Sequence, residues 1–522
     1  MCVVFQLLHA KEKPNIFTSH TDEYWKLVRK GVAPAFSPKN IRKGFGHVVQ
    51  VNRQLISILE AKQGAPVDLD NATLRVTLDV IGRVGFGKDF GATRSLSDGR
   101  ANLAFDMMAA GRDEGIKRFS NPLRQYLQFL PSVKKGEEDF RTFRKMMADL
   151  LSEIHERGEP SDTDTTIAAH LLRIRDPSTG MPPTQPYLEN VRQPLPDDRI
   201  AAEIGVFFTG GFETTGHTIA WALFMITQHP EVEAKVLAEL ASLGLMATIT
   251  QPTPRAMEYD DIAKLTYTTN AIKESMRMLP VLADGTNRTT LKDTWLGPHL
   301  IPRGTMVWVP LKATFNSPHL WHRPDHYIPE RWEEPGAEYA LPPGTDPAAV
   351  KKLSAQAVQV MADAGAAKAT LPKGEGRAKR FLPFSAGTRD CVGQSLARMN
   401  YTTTVAMLLA HFKFELTPEM GGYEGVLRSQ SCALTTLQPE SGLWCTAVPR
   451  VRSQRCNSSD VLPQLPHDVL ATLPEHPDET RTMDAPRLPM SSAKRQHSGS
   501  LPAHLVLARD DIKRPSPMAP AK

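Results

Sequence analysis

Cys391 is the side chain best placed to do chemistry. It lies in Phe384-Ser385-Ala386-Gly387-Thr388-Arg389-Asp390-Cys391-Val392-Gly393, directly before a helix-patterned run from Gln394 to His411. Gly387 and Gly393 let backbone N–H groups approach a sulfur, the following helix presents its positive N-terminus, and Arg389 supplies a nearby cation. All three features favour a thiolate, the form of cysteine that binds metals. A buried, inert thiol is the commoner fate of a lone cysteine. Phe384, two glycines and an arginine at fixed offsets argue against it here.

Two further groups carry acids. In Lys273-Glu274-Ser275-Met276-Arg277, Glu274 and Arg277 stand at i and i+3. On a helix they share a face and can form a charge-assisted pair. As a mere surface pair this would be worth under about 1 kcal/mol. Gly210-Gly211-Phe212-Glu213-Thr214-Thr215 sets glycines, a carboxylate and hydroxyls inside the apolar run from Gly205 to Ile226. Poor helix formers inside a helix-patterned stretch are a conflict of the kind found at functional sites. Trp25 and Arg29, at i and i+4, also share a helix face.

These residues need elements to hold them. Leu74, Leu78 and Ile81 predict an amphipathic helix over Asn71 to Val84, stopping at Gly85. Asp197 and Asp198 can cap a helix running from Asp198 to Gln228, about 46 Å long at ~1.5 Å per residue. Glu213, His217 and the central threonines argue against lipid on every side of it, because a mid-membrane charge is expensive. Glu231 to Leu240 and Leu265 to Met278 also read as helices. Leu296 to Val309 reads as a hairpin turning on Pro302-Arg303-Gly304. The Ala- and Gly-rich stretch of residues 333–379 looks inserted, with a short helix starting at Asp346-Pro347. Its basic end, Lys373 to Arg380, reads as solvated.

Composition sets the limits. The chain has 522 residues, 41% hydrophobic and 23% charged, with a net charge of +5. That describes a globular protein, and so dilute a charge gives no footprint for nucleic acid. Five cysteines without a CxxC pair argue against a disulfide framework. Forty-two prolines are about 8% of the chain, against a typical ~5%. Ten of them fall in residues 451–522, a stretch without any Phe, Tyr or Trp, which reads as a disordered tail. The apolar run from Cys2 to Leu8 is far shorter than the ~20 residues that span a bilayer, so residues 1–14 read as a segment without a membrane anchor.

The cysteine segment matches F-x-x-G-x-R-x-C-x-G, and in this the chain resembles the cytochrome P450 heme-thiolate monooxygenases. Glu274 and Arg277 are similar to that family's Glu-x-x-Arg pair, and Pro329-Glu330-Arg331-Trp332 to its PERF/PERW element. Gly210 to Thr215 resembles its oxygen-activation motif, and Trp25 with Arg29 its W-x-x-x-R. The resemblance implies a mainly α fold with a small β region over residues 15–450. It implies heme b as cofactor, Cys391 as the axial iron ligand, and Phe384, Gly387 and Gly393 as part of the cofactor loop. Arg389, Trp25, Arg29 and Arg288 are implied at the heme propionates. Glu274, Arg277 and Arg331 are implied as a buried structural triad, Glu213 and Thr214 as a proton relay.

The function so implied is monooxygenation of a lipophilic substrate, with electrons from NADPH through a separate reductase or a ferredoxin. Phe208, Phe212, Val281 to Asp284 and Ala433 to Leu437 would line the pocket. Only 24 residues precede Trp25, so the family's N-terminal sheet and first helices are expected to be largely missing. Family resemblance suggests the endoplasmic reticulum membrane surface or an organelle, without an anchor or targeting signal in this chain to decide. Two rival readings are a heme-binding remnant without turnover and a family member that rearranges peroxides without a reductase.

Overall fold

The computed structural model describes residues 15–98, 117, 121–176, 193–248, 251–333, 337, 380–433 and 436–450. The expectations for residues 1–14, the helix begun at Asp346 and the tail beyond 450 lie outside these residues. Helices α1 (Glu23–Val32) and α2 (Pro38–Ala61) come first, then strand β1 (Val67–Asp68) and α3 (Leu69–Phe86). Next come α4 (Pro131–Glu156), α5 (Ile167–Leu172), β2 (Arg175–Asp176) and β3 (Gln193–Pro194). The centre is α6 (Asp197–Thr227), followed by α7 (Pro230–Ser242) and α8 (Thr266–Met278). Four short strands follow: β4 (Thr286–Thr289), β5 (Thr294–Leu296), β6 (His299–Ile301) and β7 (Met306–Val309). The chain continues through α9 (Leu311–Phe315), α10 (Gln394–His411), β8 (Phe412–Leu416) and α11 (Gly422–Arg428). It closes with β9 (Gln430–Ala433), β10 (Thr436–Pro439) and β11 (Trp444–Pro449).

Helix α6 is the axis of the core, with α3, α4, α7, α8 and α10 packed around it. Its 31 residues lie one position earlier than the pattern suggested, because helical geometry already starts at Asp197. Phe208 is fully buried among Phe86, Phe90, Phe143 and Phe212, with ring centroids 5.2–6.4 Å apart. Phe208 is thus core packing, not a free pocket wall. Among the described residues, no helix is long and apolar enough to cross a membrane.

Two boundaries differ from expectation for local reasons. Helix α3 does not stop at Gly85; it continues to Phe86 and ends at Gly87, whose φ of +63° suits glycine and whose N–H donates to the Arg83 carbonyl at 3.2 Å. At its other end the Asp68 carboxylate caps the N–H groups of Asp70 and Asn71. The hairpin is also repartitioned. The chain does turn at Pro302 to Thr305, but β6 pairs back with β5, and β7 pairs antiparallel with β4, setting Arg288 opposite Val307. Periodicity marks strands without naming their partners. The remaining sheets are β1-β11-β8, β9-β10 and β2-β3.

Candidate functional site

The cysteine loop is folded by its own backbone. Ser385 N–H donates to the Leu382 carbonyl at 3.0 Å, Asp390 N–H to Gly387 at 3.1 Å, and Cys391 N–H to Phe384 at 2.9 Å. Gly387 takes φ +81°, which glycine adopts freely, and Ser385 is held at +62°. Gly393 directly precedes α10. Among the described cysteines Cys391 alone is exposed; Cys432 is half-buried and Cys445 buried. The protein mass around the Cys391 sulfur pushes the thiol pKa up, opposed by the Gly393 N–H and Arg29 and reinforced by Asp390. A bound metal cation would reverse that balance, since a coordinated thiol is deprotonated.

The cation beside the sulfur is Arg29, not Arg389 as the spacing suggested. Arg29 donates to the Asp390 carbonyl at 2.8 Å and pairs with the Asp390 carboxylate. Arg389 turns the other way. It donates to Thr21 Oγ1 at 3.0 Å and to the carbonyls of Ile16 and Ser19 at 3.1 and 2.7 Å, with its guanidinium 4.3 Å above the Trp25 ring. Adjacent side chains in a loop diverge, so sequence proximity to Cys391 did not decide which arginine acts on it. Arg288, on β4, reaches the edge of the same loop, with Nη2 3.5 Å from Ser385 Oγ. Trp25, Arg29, Arg288 and Arg389 therefore all touch or adjoin the cysteine loop or the segment before α1.

That segment is tied to α6 as well. The buried Glu203 carboxylate accepts from Ile16 N–H at 2.9 and 3.0 Å and from the Tyr24 hydroxyl at 2.9 Å. Burial pushes its pKa up to about 7, against the Ile16, Tyr24 and Arg199 contributions that lower it. The folded state thus retains a proton that the unfolded chain has lost between pH ~4.5 and ~7, and stability falls as pH rises through that window. Glu203→Gln should unfold at the same denaturant concentration as the parent near pH 4.5. At pH 8 it should be more stable by roughly 1–3 kcal/mol. Denaturant titrations at the two pH values check this; an equal gap at both would remove Glu203 from the pH response.

The motif in α6 is shaped by α3. Thr77 Oγ1 donates to the Phe212 carbonyl at 2.8 Å and Thr73 Oγ1 to Gly216 at 3.0 Å. A methyl at Gly211 would lie 2.7 Å from Ile81, and one at Gly216 would lie 2.9 Å from the Leu74 Cα. These glycines admit α3. Gly210 is different: it is exposed, and a Cβ there would meet nothing within 4 Å. Thr214, one turn on, donates from Oγ1 to the Gly210 carbonyl at 2.9 Å. This is the open face of an otherwise buried helix. Glu213 points into the core, where its Oε1 accepts from Thr436 Oγ1 at 2.9 Å. His217 Nε2 lies 4.0 Å from the same oxygen, and its Nδ1 lies 2.7 Å from Asp70 Oδ1. Asp70 carried no sequence signal, and Thr436 entered only within the pocket segment Ala433 to Leu437, not as a partner of Glu213; His217 stands four residues after Glu213, on the same helix face.

Glu274 is fully buried and gathers several donors around one carboxylate. Arg277 donates to both of its oxygens at 2.9 and 3.1 Å, Arg331 at 2.9 Å, the Trp332 indole at 3.0 Å and Ile328 N–H at 3.2 Å. Arg277 spends its other donors on the carbonyls of Phe315 and His326. Trp321 and Arg380 complete the cluster and were missed. Arg380 stacks 4.1 Å over Trp321 and donates to the carbonyls of Leu320 and Ala337. Burial, with Arg331 and Arg277 nearby, brings its pKa down to about 10. Arg380 is therefore a structural cation and not part of a solvated basic run; Lys373 to Lys379 lie outside the described residues.

The family model for cytochrome P450 matches residues 3–424. The chain belongs to the cytochrome P450 family. Similar curated proteins include cytochrome P450 3A28 of Bos taurus, 24% identical over 82% of this chain and 74% of its own length. Cytochrome P450 97B2, chloroplastic, of Glycine max is 24% identical over 81% of this chain and 70% of its own. Among solved structures, a cytochrome P450 named CYP102L1 superposes with a TM-score of 0.63 over 86% of this chain and 83% of that chain, at 20% identity. The cytochrome P450DA heme domain gives a TM-score of 0.64 over 86% and 82% at the same identity. These structures show the fold.

As a cytochrome P450 the chain is a heme-thiolate monooxygenase with heme b as its cofactor. Its residues fit that group. Among the described residues no cluster of three or more His, Cys, Asp and Glu could cage a metal ion. A lone exposed sulfur suits a metal that brings its other ligands in a macrocycle. Arginines around the same loop suit the carboxylates such a macrocycle carries.

Proposed function

We propose that this P450 inserts one oxygen atom of dioxygen into an unactivated bond of a lipophilic substrate. Electrons would come from NADPH through a separate reductase or a ferredoxin. The observation that carries this reading is the exposed Cys391, in a backbone-closed loop at the head of α10, with Arg29 bound to its neighbour Asp390. When bound, heme supplies the redox and oxygen-binding chemistry, and an axial thiolate pushes electron density in the sense that favours O–O cleavage.

The chain's own residues supply the rest. Cys391 Sγ would hold the heme iron. Arg29, Arg288, Arg389 and Trp25 would hold the propionates; for Arg389 this requires release from the carbonyls it now holds. Thr214 Oγ1, on the open face of α6, would deliver protons, and Glu213 would recharge it. With Phe208 in the core, the three remaining proposed substrate-facing segments adjoin one another: Leu437 N–H donates to the Val281 carbonyl at 2.7 Å, and Thr436 holds Glu213, next to Phe212. Val281, Leu282, Ala283 and Leu437 are apolar, which supports a lipophilic substrate.

The test supplies NADPH, a P450 reductase or a ferredoxin couple, and terpenoid, sterol, carotenoid and fatty-acid candidates to heme-loaded protein. Oxygenated product that depends on NADPH is expected. Heme-loaded protein that oxygenates none of them with either donor would sink the reading. Thr214→Ala should lower the product formed per NADPH by about tenfold or more, in keeping with the general acid's usual share. Unchanged coupling would remove Thr214 from the relay.

A further inference from the structure

We propose that His217, clamped by Asp70, is a positioning residue for Glu213. The proposal rests on the proton-relay reading of Glu213 and Thr214 and extends it inward. A buried polar row runs from α3 through α6 to β10. Asp70 Oδ1 is 2.7 Å from His217 Nδ1, His217 Nε2 is 4.0 Å from Glu213 Oε1, and Thr436 Oγ1 is 2.9 Å from that same oxygen. His217 is fully buried and Asp70 nearly so. A carboxylate on Nδ1 keeps the proton there and fixes the ring plane, which turns the acceptor nitrogen Nε2 along α6 toward Glu213, where it faces the carboxyl group in the form that carries the relayed proton. The Glu213 carboxylate is thereby set between an imidazole and a hydroxyl, on the core side of α6. Thr214, the next residue, serves the open face.

The clamp is built into the packing of the two helices. Gly216 lets the α3 backbone approach so closely that a methyl there would lie 2.7–3.1 Å from Leu74 atoms, two of them backbone. Thr73 Oγ1 bonds the Gly216 carbonyl one turn from Asp70, at 3.0 Å. Asp68 caps Asp70 N–H and also accepts from Leu443 N–H at 2.9 Å, tying the start of α3 to the chain just before β11. These contacts fix the start of α3 against α6 and the chain before β11, and with it the position of the one carboxylate that meets His217 Nδ1.

The experiment uses the full chain loaded with heme, labelled with ¹⁵N-histidine and held as the diamagnetic reduced carbon monoxide complex. A solvent-protected imidazole N–H resonance is expected in the parent protein and in Asp70→Asn, which keeps an acceptor. It should vanish in His217→Phe and in His217→Gln, and exchange with solvent in Asp70→Ala. Product formed per NADPH should fall about tenfold in His217→Phe and His217→Gln, toward the value of Glu213→Gln. Both comparisons are made only among variants that retain the thiolate spectrum of the carbon monoxide complex. If Glu213→Gln lowers coupling and neither His217 variant does, the positioning role is overturned while the relay stands. If Glu213→Gln itself leaves coupling unchanged, the relay reading fails and the positioning role with it.

Discussion

Glu274→Ala should leave the chain largely unfolded. The carboxylate is the shared acceptor for Arg277 and Arg331, and its removal strands two guanidinium groups in a site with little solvent. Breaking a buried pair from one side costs about 3–5 kcal/mol, a large part of the 5–15 kcal/mol that typically holds a protein together. The Trp332 indole and the Ile328 N–H lose their partner in the same step. Glu274→Gln keeps an acceptor and should fall between the two. A surface pair gives the contrast: Lys26→Ala, removing the exposed bond to Glu23 at 2.6 Å, should change stability by under about 1 kcal/mol. Soluble yield and denaturant unfolding measure both. A Glu274→Ala protein within about 1 kcal/mol of the parent would show that the cluster is decoration.

Cys391→Ser should abolish turnover and leave the fold intact. The loop around the residue is closed by backbone bonds from Ser385, Asp390 and Cys391 N–H, none of which needs the sulfur. Replacing a group that merely supports a metal ligand costs roughly 10- to 100-fold, so loss of the ligand should exceed about 100-fold in product formation. The corresponding change at Cys445, buried in β11, concerns packing alone and should leave specific activity near that of the parent. Circular dichroism and product assay together separate the two. Turnover in Cys391→Ser at more than a tenth of the parental rate would assign the iron to another ligand.

Much of the site was legible because its chemistry is local. The cysteine loop, the Glu274 and Arg277 pair and the polar break in α6 are each set by side chains within a few residues, where spacing determines geometry. What depended on distant partners was not legible. Arg389 and Arg29 could exchange roles because only the fold shows that Arg389 is captured by Ile16 and Ser19. β7 could choose β4 over β6 because strand pairing is non-local. Gly210 and Gly211 look alike in sequence, yet one faces open space and the other receives Ile81. Arg380, beside a basic run, became structural only because Trp321 lies beneath it. Asp70 gave no signal, since nothing near it in sequence points to His217, 147 residues away.

The most direct measurement is the absorption spectrum of the whole chain, expressed with a heme supply, reduced and exposed to carbon monoxide. Stoichiometric heme uptake with a Soret band at the long-wavelength position of thiolate ligation is the expected result, and Cys391→Ser should lack that band. Absence of heme uptake, or a Soret band without the thiolate red shift, would contradict Cys391 as the axial ligand.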